Sequence, residues 1–366
     1  MDSIFDLNFQ EMQDYCVDKL DSKPFLATQV FDWIYKKKNF NVEQWSNVSK
    51  VNKVKILENF NFDLPKVIWI GESKDGTRKF LVRLNDKQTI ECVVIPAKDR
   101  RTLCVSSQVG CAIGCTFCHT GTQGLTRHLK TSEIVGQYLT ISKWLVEKGA
   151  NPISNIVYMG QGEPLHNYDN VKRSAELLID PKGLGLGQRR ITLSTSGLVP
   201  KIEQLFNFPS VNIAISLHSA RNDVRTELMP INKVYDLERL FKAIKSIPLK
   251  ASRRITYEYI LIDDLNDSPQ DLDALVELLD RKESKINIIP FNEYPESKFK
   301  RPSDDKIKWF NDTLNKRGFT STVRVSKGDD ILAACGQLKS EFEKKNLWST
   351  GKQKEIEENK TTQIFR

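Results

Sequence analysis

Gly110-Cys111-Ala112-Ile113-Gly114-Cys115-Thr116-Phe117-Cys118-His119 sets three cysteines at spacings of four and three, directly after an apolar, strand-like run at 103–107. Similar β-branched runs lie at 88–95 before the loop and at 156–159, 191–194, 211–217, 255–262, 286–290 and 322–325 after it. Between several of them the apolar residues take a helical period. Ile134, Tyr138, Ile141 and Leu145 line one face, as do Leu237, Leu240, Phe241 and Ile244, and then Leu272, Leu275, Leu278 and Leu279. Near-continuous apolar strands separated by amphipathic helices imply βαβ units and a parallel sheet covered on both faces. About six such units are too few for a complete eight-stranded barrel, which leaves an open, partial barrel or a doubly wound sheet. In either, ligands gather at the carboxyl ends of the strands, where the cysteine loop falls.

The first 85 residues read differently. Helices are expected around 8–20, 27–38 and 51–60, with strand-like material near 66–70 and 78–83. Residues 23–60 carry seven lysines (23, 36, 37, 38, 50, 53 and 55) against Asp32, Glu43 and Glu58, a net of +4 in a chain whose total is +8. Phe25, Phe31, Trp33, Tyr35, Phe40 and Trp45 are interleaved with them. Lysines attract phosphates and flat rings can stack on bases, but the same pattern describes a small helical unit with an aromatic core and solvated lysines, the reading favoured from this segment alone. The expected organisation is therefore an N-terminal helical unit at 1–85, a catalytic unit at 86–340 and a charged, frayed tail at 341–366. A chain of 366 residues with 39% hydrophobic and 28% charged residues is long enough for a sizeable core and is not disordered as a whole. No apolar stretch is long enough to span a bilayer, and the acidic start Met1-Asp2-Ser3-Ile4-Phe5-Asp6 lacks the order of a signal peptide. A cytoplasmic location with no membrane partner is expected, and no spare apolar helix face calls for anything beyond a monomer.

Seven cysteines in such a chain need an explanation other than a disulfide framework, and four of them crowd between Cys104 and Cys118. Structural zinc could take Cys104 or His119 as its fourth ligand, but such sites usually arrive as two separated pairs, and no second Cys-x-x-Cys exists. Cys115-Thr116-Phe117-Cys118-His119 matches the attachment motif of c-type haem, which belongs to exported proteins. The third reading is an iron–sulfur cluster. Three cysteines can bind three irons of a 4Fe–4S cube and leave the fourth open to a ligand. Cys-x3-Cys-x2-Cys on the loop after the first strand of a βα series is the signature of the radical S-adenosylmethionine (SAM) enzymes. There the open iron chelates SAM and passes it an electron, and a 5′-deoxyadenosyl radical results.

Longer motifs sharpen the resemblance. They are the run from Leu103 to Cys111, Thr120 to Arg127, Tyr158-Met-Gly-Gln-Gly-Glu-Pro-Leu165, Arg190 to Gly197, Ile215-Ser-Leu-His218, Met229-Pro-Ile-Asn232 and Gly328 to Leu338. Through these the chain closely resembles the dual-specificity 23S rRNA/tRNA adenine-C2 methyltransferases of bacteria, the RlmN family. The resemblance covers nearly the whole chain and implies a partial (β/α)6 radical-SAM barrel with a small N-terminal helical accessory domain that helps engage RNA. It makes Cys111, Cys115 and Cys118 the cluster ligands. It makes Gly162, Glu163, Ser194, Ser216, Leu217, His218 and Asn292 the SAM contacts. Cys335 becomes the S-methylcysteine intermediate, charged by one SAM; the radical from a second SAM turns it into a methylene radical that adds to C2. Cys104 becomes the resolving cysteine, which forms a transient disulfide with Cys335, and Glu91 the proton acceptor. Substrates would be 23S rRNA and tRNA, and an electron donor such as flavodoxin is implied. The scheme answers a chemical problem: C2 of adenine is electrophilic, so a methyl cation has no reason to attack it, whereas a carbon radical can.

Taken without the resemblance, each residue has an ordinary reading. Gly-x-Gly-Glu-Pro is a tight turn, His218 a satisfied core histidine, Cys335 a small buried hydrophobe and Glu91 a solvent-facing carboxylate in a strand. Cys16 and Cys92 are expected to be structural. Arg127, Arg189, Arg190 and Lys36–Lys38 are candidate phosphate contacts. The rivals are an adenine-C8 rRNA methyltransferase with the same machinery, a radical SAM enzyme of another kind, which would leave Cys335 and Cys104 unexplained, and a non-enzymatic RNA-binding protein with structural zinc.

Overall fold

The computed structural model describes residues 1–339 apart from 99, 250–252 and 296. The tail expected at 341–366 lies outside the described residues. Ten strands form one sheet: β1 (Lys66–Glu72), β2 (Arg78–Arg83), β3 (Thr89–Ala97), β4 (Arg100–Cys104), β5 (Asn155–Tyr158), β6 (Ile191–Thr195), β7 (Asn212–Ser216), β8 (Ile255–Leu261), β9 (Ser284–Pro290) and β10 (Thr320–Val323). Their spatial order is their chain order. β1 to β4 pair antiparallel, and every pair from β4/β5 to β9/β10 is parallel. A doubly wound sheet reverses its strand order at a switch point. This one winds in a single direction, as a barrel does, and stops short of closure.

The parallel strands are apolar because they are covered on both faces. Ile156, Ile191, Leu193, Ile215, Tyr259, Ile286 and Ile288 are fully buried in one continuous core. The crossover helix Thr131–Glu147 shows how the helices contribute: Ile134, Val135, Tyr138, Leu139, Ile141 and Leu145 all face inward. Each such side chain stabilises the fold by roughly 1.5–3 kcal/mol relative to exposure.

The N-terminal helices form at Phe9–Asp18, Phe25–Phe31 (continued by a wider turn at Asp32–Lys36) and Lys50–Asn59. The first is closed by a capping box, Asn8 accepting from Glu11 N while the Glu11 carboxylate accepts from Asn8 N. Phe31, Trp33, Tyr35 and Trp45 are buried, and the two indoles stack at 6.3 Å, so most of the aromatics interleaved with the lysines are core. Lys37 sits over the Trp33 ring at 3.5 Å. Residues 66–83, expected with the N-terminal unit, form the hairpin β1–β2 and pair with β3 in the main sheet. Among the described residues, no helix is long and apolar enough to cross a membrane.

Candidate active site

The register of β2, β3 and β4 decides which side chains enter the site. Lys79 pairs with Val93 and Val93 with Cys104, so these three share one face, as does Glu91, two residues earlier on β3. Cys92, between Glu91 and Val93, points to the other face opposite Phe80 and is fully buried in the core. Glu91 is not the solvent-facing carboxylate that strand alternation suggested: it is fully buried. Its carboxylate lies 3.2 Å from the buried Lys79 Nζ and accepts the Lys339 N–H at 3.0 Å. Burial pushes its pKa up, and Lys79 pulls it part of the way back.

Beyond β4 the chain makes the short strand Gln108–Gly110, paired with Leu125–His128, and enters the cysteine loop. Gly110, at φ +76°, is required: a Cβ there would stand 1.9 Å from the Gly124 carbonyl. Cys111 N bonds to Gly124 O, Cys118 N to Cys115 O, and Thr116 N to Leu228 O. The three cysteines line a cavity with about 840 Å³ of atom-free space at the carboxyl ends of the parallel strands. Among the described residues no group of three or more His, Cys, Asp or Glu side chains converges as a single metal ion demands. A cube that gives each thiolate its own iron fits this donor set better than zinc. Burial pushes the Cys111 thiol up to about 12 and raises Cys115 and Cys118 as well.

Across the cavity stand Gly162, Glu163, Ser194, Ser216, His218 and Cys335. Glu163 is held by two backbone donors, Leu165 N at 2.9 Å and Ser196 N at 2.7 Å, and its own N–H reaches Gln108 Oε1 at 2.8 Å. A fixed, buried carboxylate of this kind suits an ammonium group. His218 Nδ1 accepts the Ile260 N–H at 3.0 Å, and burial lowers its pKa to about 3, so the ring is neutral with its proton on Nε2. It is both a satisfied histidine and part of the cavity wall. The Leu217 side chain is fully buried in the core and does not line the cavity. Asn292 is likewise off the lining and donates to Cys335 O at 3.1 Å.

Cys335 rides on a segment clamped from several sides. Its neighbours Gly336 O and Leu338 O accept from His119 N at 2.7 Å and Thr120 Oγ1 at 2.6 Å, on the cysteine loop itself. Lys79 Nζ donates to Leu332 O at 3.1 Å. Cys104 packs with Val93, Ala333 and Leu338, and burial pushes its thiol up to about 12, with the nearby Cys335 adding to the rise. Both are free thiols here.

With this geometry in place, comparison with known proteins is informative. Residues 105–279 match the radical SAM superfamily, and residues 3–61 match the ribosomal RNA large subunit methyltransferase N-terminal domain. The chain is 44% identical over 326 residues to a dual-specificity RNA methyltransferase RlmN of Roseobacter denitrificans, covering 86% of this chain and 82% of that one. It is 42% identical to that of Syntrophus aciditrophicus, over 92% and 96% of the two chains. The chain belongs to the RlmN family of radical SAM enzymes. The fold of the family is seen in a crystal structure of a radical SAM methyltransferase from Sphaerobacter thermophilus, which superposes with a TM-score of 0.87 at 38% identity over 93% of this chain and all of that one. The cofactors of an RlmN-family chain are a 4Fe–4S cluster and SAM.

Four residues of this RlmN-family site escape motif reading. Lys79 partners Glu91, and Glu258 accepts from Ser194 Oγ at 2.8 Å. Arg324 lies 3.8 Å from Glu258, its Nη1 reaches Met159 Sδ at 3.7 Å, and its charge pulls the Cys335 thiol part of the way back from the rise that burial causes. Arg225 is buried behind the cavity wall. The available signal was a charged residue inside an apolar strand, for Lys79 and Glu258. Arg324 gave the same signal in the run at 322–325, and for Arg225 there was none. Of the candidate phosphate contacts, Arg127 is already committed, bonding Asp86 at 2.7 Å and Glu133 at 2.8 Å, while Arg189 and Arg190 are exposed.

Proposed function

We infer that this chain is a SAM-dependent RNA methyltransferase that methylates C2 of adenine in 23S rRNA and in tRNA, through Cys335 as a methyl carrier and Cys104 as its resolving partner. The observation that carries the reading is the meeting of Cys335 with the three-cysteine loop in one cavity, with Cys104 packed against the same segment. When bound, the cluster and SAM supply the methyl group and the hydrogen-abstracting radical that carbon–carbon bond formation at C2 needs. Cys111, Cys115 and Cys118 hold the cluster, and Glu163 holds the SAM ammonium. Cys335 carries the methyl group on sulfur and joins C2 of the target adenine through a methylene bridge. Glu91 takes the C2 proton, with Lys79 favouring the ionised carboxylate that a base must be, and the unpaired electron that radical addition leaves on the ring would return to the oxidised cluster. Cys104 sulfur then attacks Cys335 sulfur. A disulfide forms as the Cys335 carbon–sulfur bond breaks, and the carbon leaves with its electron pair to take a proton as the new methyl group.

Lys36 and Lys37 on the helical unit before residue 62, together with the exposed Arg189 and Arg190 elsewhere on the surface, supply phosphate contacts. The target adenine must be unpaired or flipped, because C2 of a stacked, paired base is hidden from the cavity. A cytoplasmic monomer reduced by a flavodoxin-like donor completes the reading. The test is the mass of the Cys335 peptide from chain purified with its cluster intact. A peptide one methylene heavier, with the gain lost in Cys335→Ala, is the expected result. An unmodified Cys335 after incubation with SAM overturns the carrier mechanism.

A further inference from the structure

Arg225, on the short helix Asn222–Leu228, is fully buried, and every donor bond it makes goes to a neutral group. Nε donates to Leu217 O at 3.1 Å and Nη1 to Asn232 Oδ1 at 2.7 Å. Nη2 donates to Ser196 O at 2.9 Å and to Ser216 O at 3.4 Å. Among the described residues no carboxylate lies within ion-pair distance of it. The nearest functional carboxylates are engaged elsewhere: Glu163 with Leu165 N and Ser196 N, and Glu258 with Ser194 and Arg324. Burying a guanidinium without a counter-charge is strongly unfavourable, and neutral carbonyl acceptors offset only part of the desolvation.

The location explains what the cation faces. Its acceptors Ser196 and Ser216 are cavity-wall residues. Its helix is docked on the cysteine loop, with Leu228 O accepting from Thr116 N at 3.0 Å and Val224 and Leu228 packed in the apolar cluster that Cys115 and Cys118 join. A 4Fe–4S cluster on three thiolates is a net anion, and it gains a further negative charge on reduction.

We propose that Arg225 is the built-in counter-cation of the cluster. It is a positioning residue that stabilises the reduced cluster electrostatically while its hydrogen bonds hold the strand ends bearing Ser216 and His218. This rests on the reading of Cys111, Cys115 and Cys118 as cluster ligands. The companion residue is Asn232, which sits on the guanidinium and donates in turn to Asn222 O at 3.1 Å and Thr226 Oγ1 at 2.8 Å. A neutral Asn at this position leaves the positive charge unspent; an Asp would cancel it.

The test is the midpoint potential of the cluster, followed by electron paramagnetic resonance during reductive titration of the full-length, anaerobically reconstituted chain. Arg225→Gln and Asn232→Asp are expected to disfavour reduction by at least tenfold in the equilibrium constant, about 59 mV for a one-electron couple. Arg225→Lys is expected to stay within that margin of the unsubstituted chain. An unmoved potential in Arg225→Gln at full iron content overturns the proposal. If Arg225→Gln does not retain iron, Asn232→Asp decides it, and an unmoved potential there overturns it equally. Failure of the underlying reading looks different: the unsubstituted chain would then hold no cluster, or would keep it in Cys115→Ala.

Discussion

Glu91 and Lys79 are the residues whose environment departs furthest from what their chemistry prefers. Two ionisable side chains, both almost wholly removed from water, face each other at 3.2 Å. Breaking such a pair leaves one charge unpaired and costs about 3–5 kcal/mol. Lys79→Met should therefore destabilise the chain by that order at pH 8, and the sign of its pH dependence is fixed. Glu91 already has a pKa raised by burial, and removing Lys79 raises it further. A raised carboxyl binds its proton more tightly in the folded state, so the variant's deficit should shrink as pH falls from 8 toward 5. Urea unfolding at the two pH values measures it, and a deficit that does not change with pH would contradict the pairing. On the proposed role of Glu91 as the base, the same variant should also accumulate the covalent protein–RNA adduct.

At the scale of single elements, the turn that follows β5 does the most with the fewest residues. Gly162 has φ +100°, and a Cβ there would lie 2.5 Å from the Gln108 side chain. That side chain is the acceptor for Glu163 N, so displacing it moves the carboxylate proposed to hold the SAM ammonium. Gly162→Ala is expected to weaken SAM binding more than tenfold while iron content stays unchanged; equilibrium dialysis against labelled SAM reads the first and elemental analysis the second. Equal affinity would show that the turn can relax without moving Glu163. Local sequence signals this element well, because Gly-x-Gly-Glu-Pro after an apolar run can hardly be anything but a tight turn. What the motif does not disclose is the Gln108 contact, made by a residue more than fifty positions earlier.

Across the whole molecule, the hairpin that opens the main sheet is tied to the last described segment. The β1–β2 turn holds the carrier segment: Asp75 Oδ2 accepts from Gly328 N at 3.2 Å and lies 3.7 Å from Lys327 Nζ, and Asp330 Oδ2 accepts from Lys74 N at 3.2 Å. Gly328 is pressed against Thr77, where a Cβ would stand at 2.8 Å. Asp75→Ala removes the pin and should loosen residues 328–339, seen as faster amide exchange in that segment as well as at Thr77, whose N–H Asp75 also accepts at 2.8 Å. It should slow Cys335 methylation several-fold with the cluster intact. Exchange that is unchanged there would mean that Asn292, His119 and Thr120 suffice to hold Cys335.

The sequence by itself determined the chemistry and the class of fold. Ligand spacing in the 111–118 loop is covalent, and the alternation of apolar strands with helical periods is local, so both survive in one dimension. Strand order was not so readable: the choice between a partial barrel and a doubly wound sheet rested on six parallel pairings made between segments far apart in the chain. Only the tertiary structure decided the residues that tune the site. Alternation along β3 could not say that the Glu91 face is covered, because that depends on the 332–339 segment folding over it. Nor could it say that Lys79 meets Glu91, that Glu258 meets Ser194 and Arg324, or that Arg225 is buried behind the cavity wall. Their charges have meaning only at the distances that folding sets, since an ion pair or a counter-cation acts through space and leaves no periodic mark along the chain.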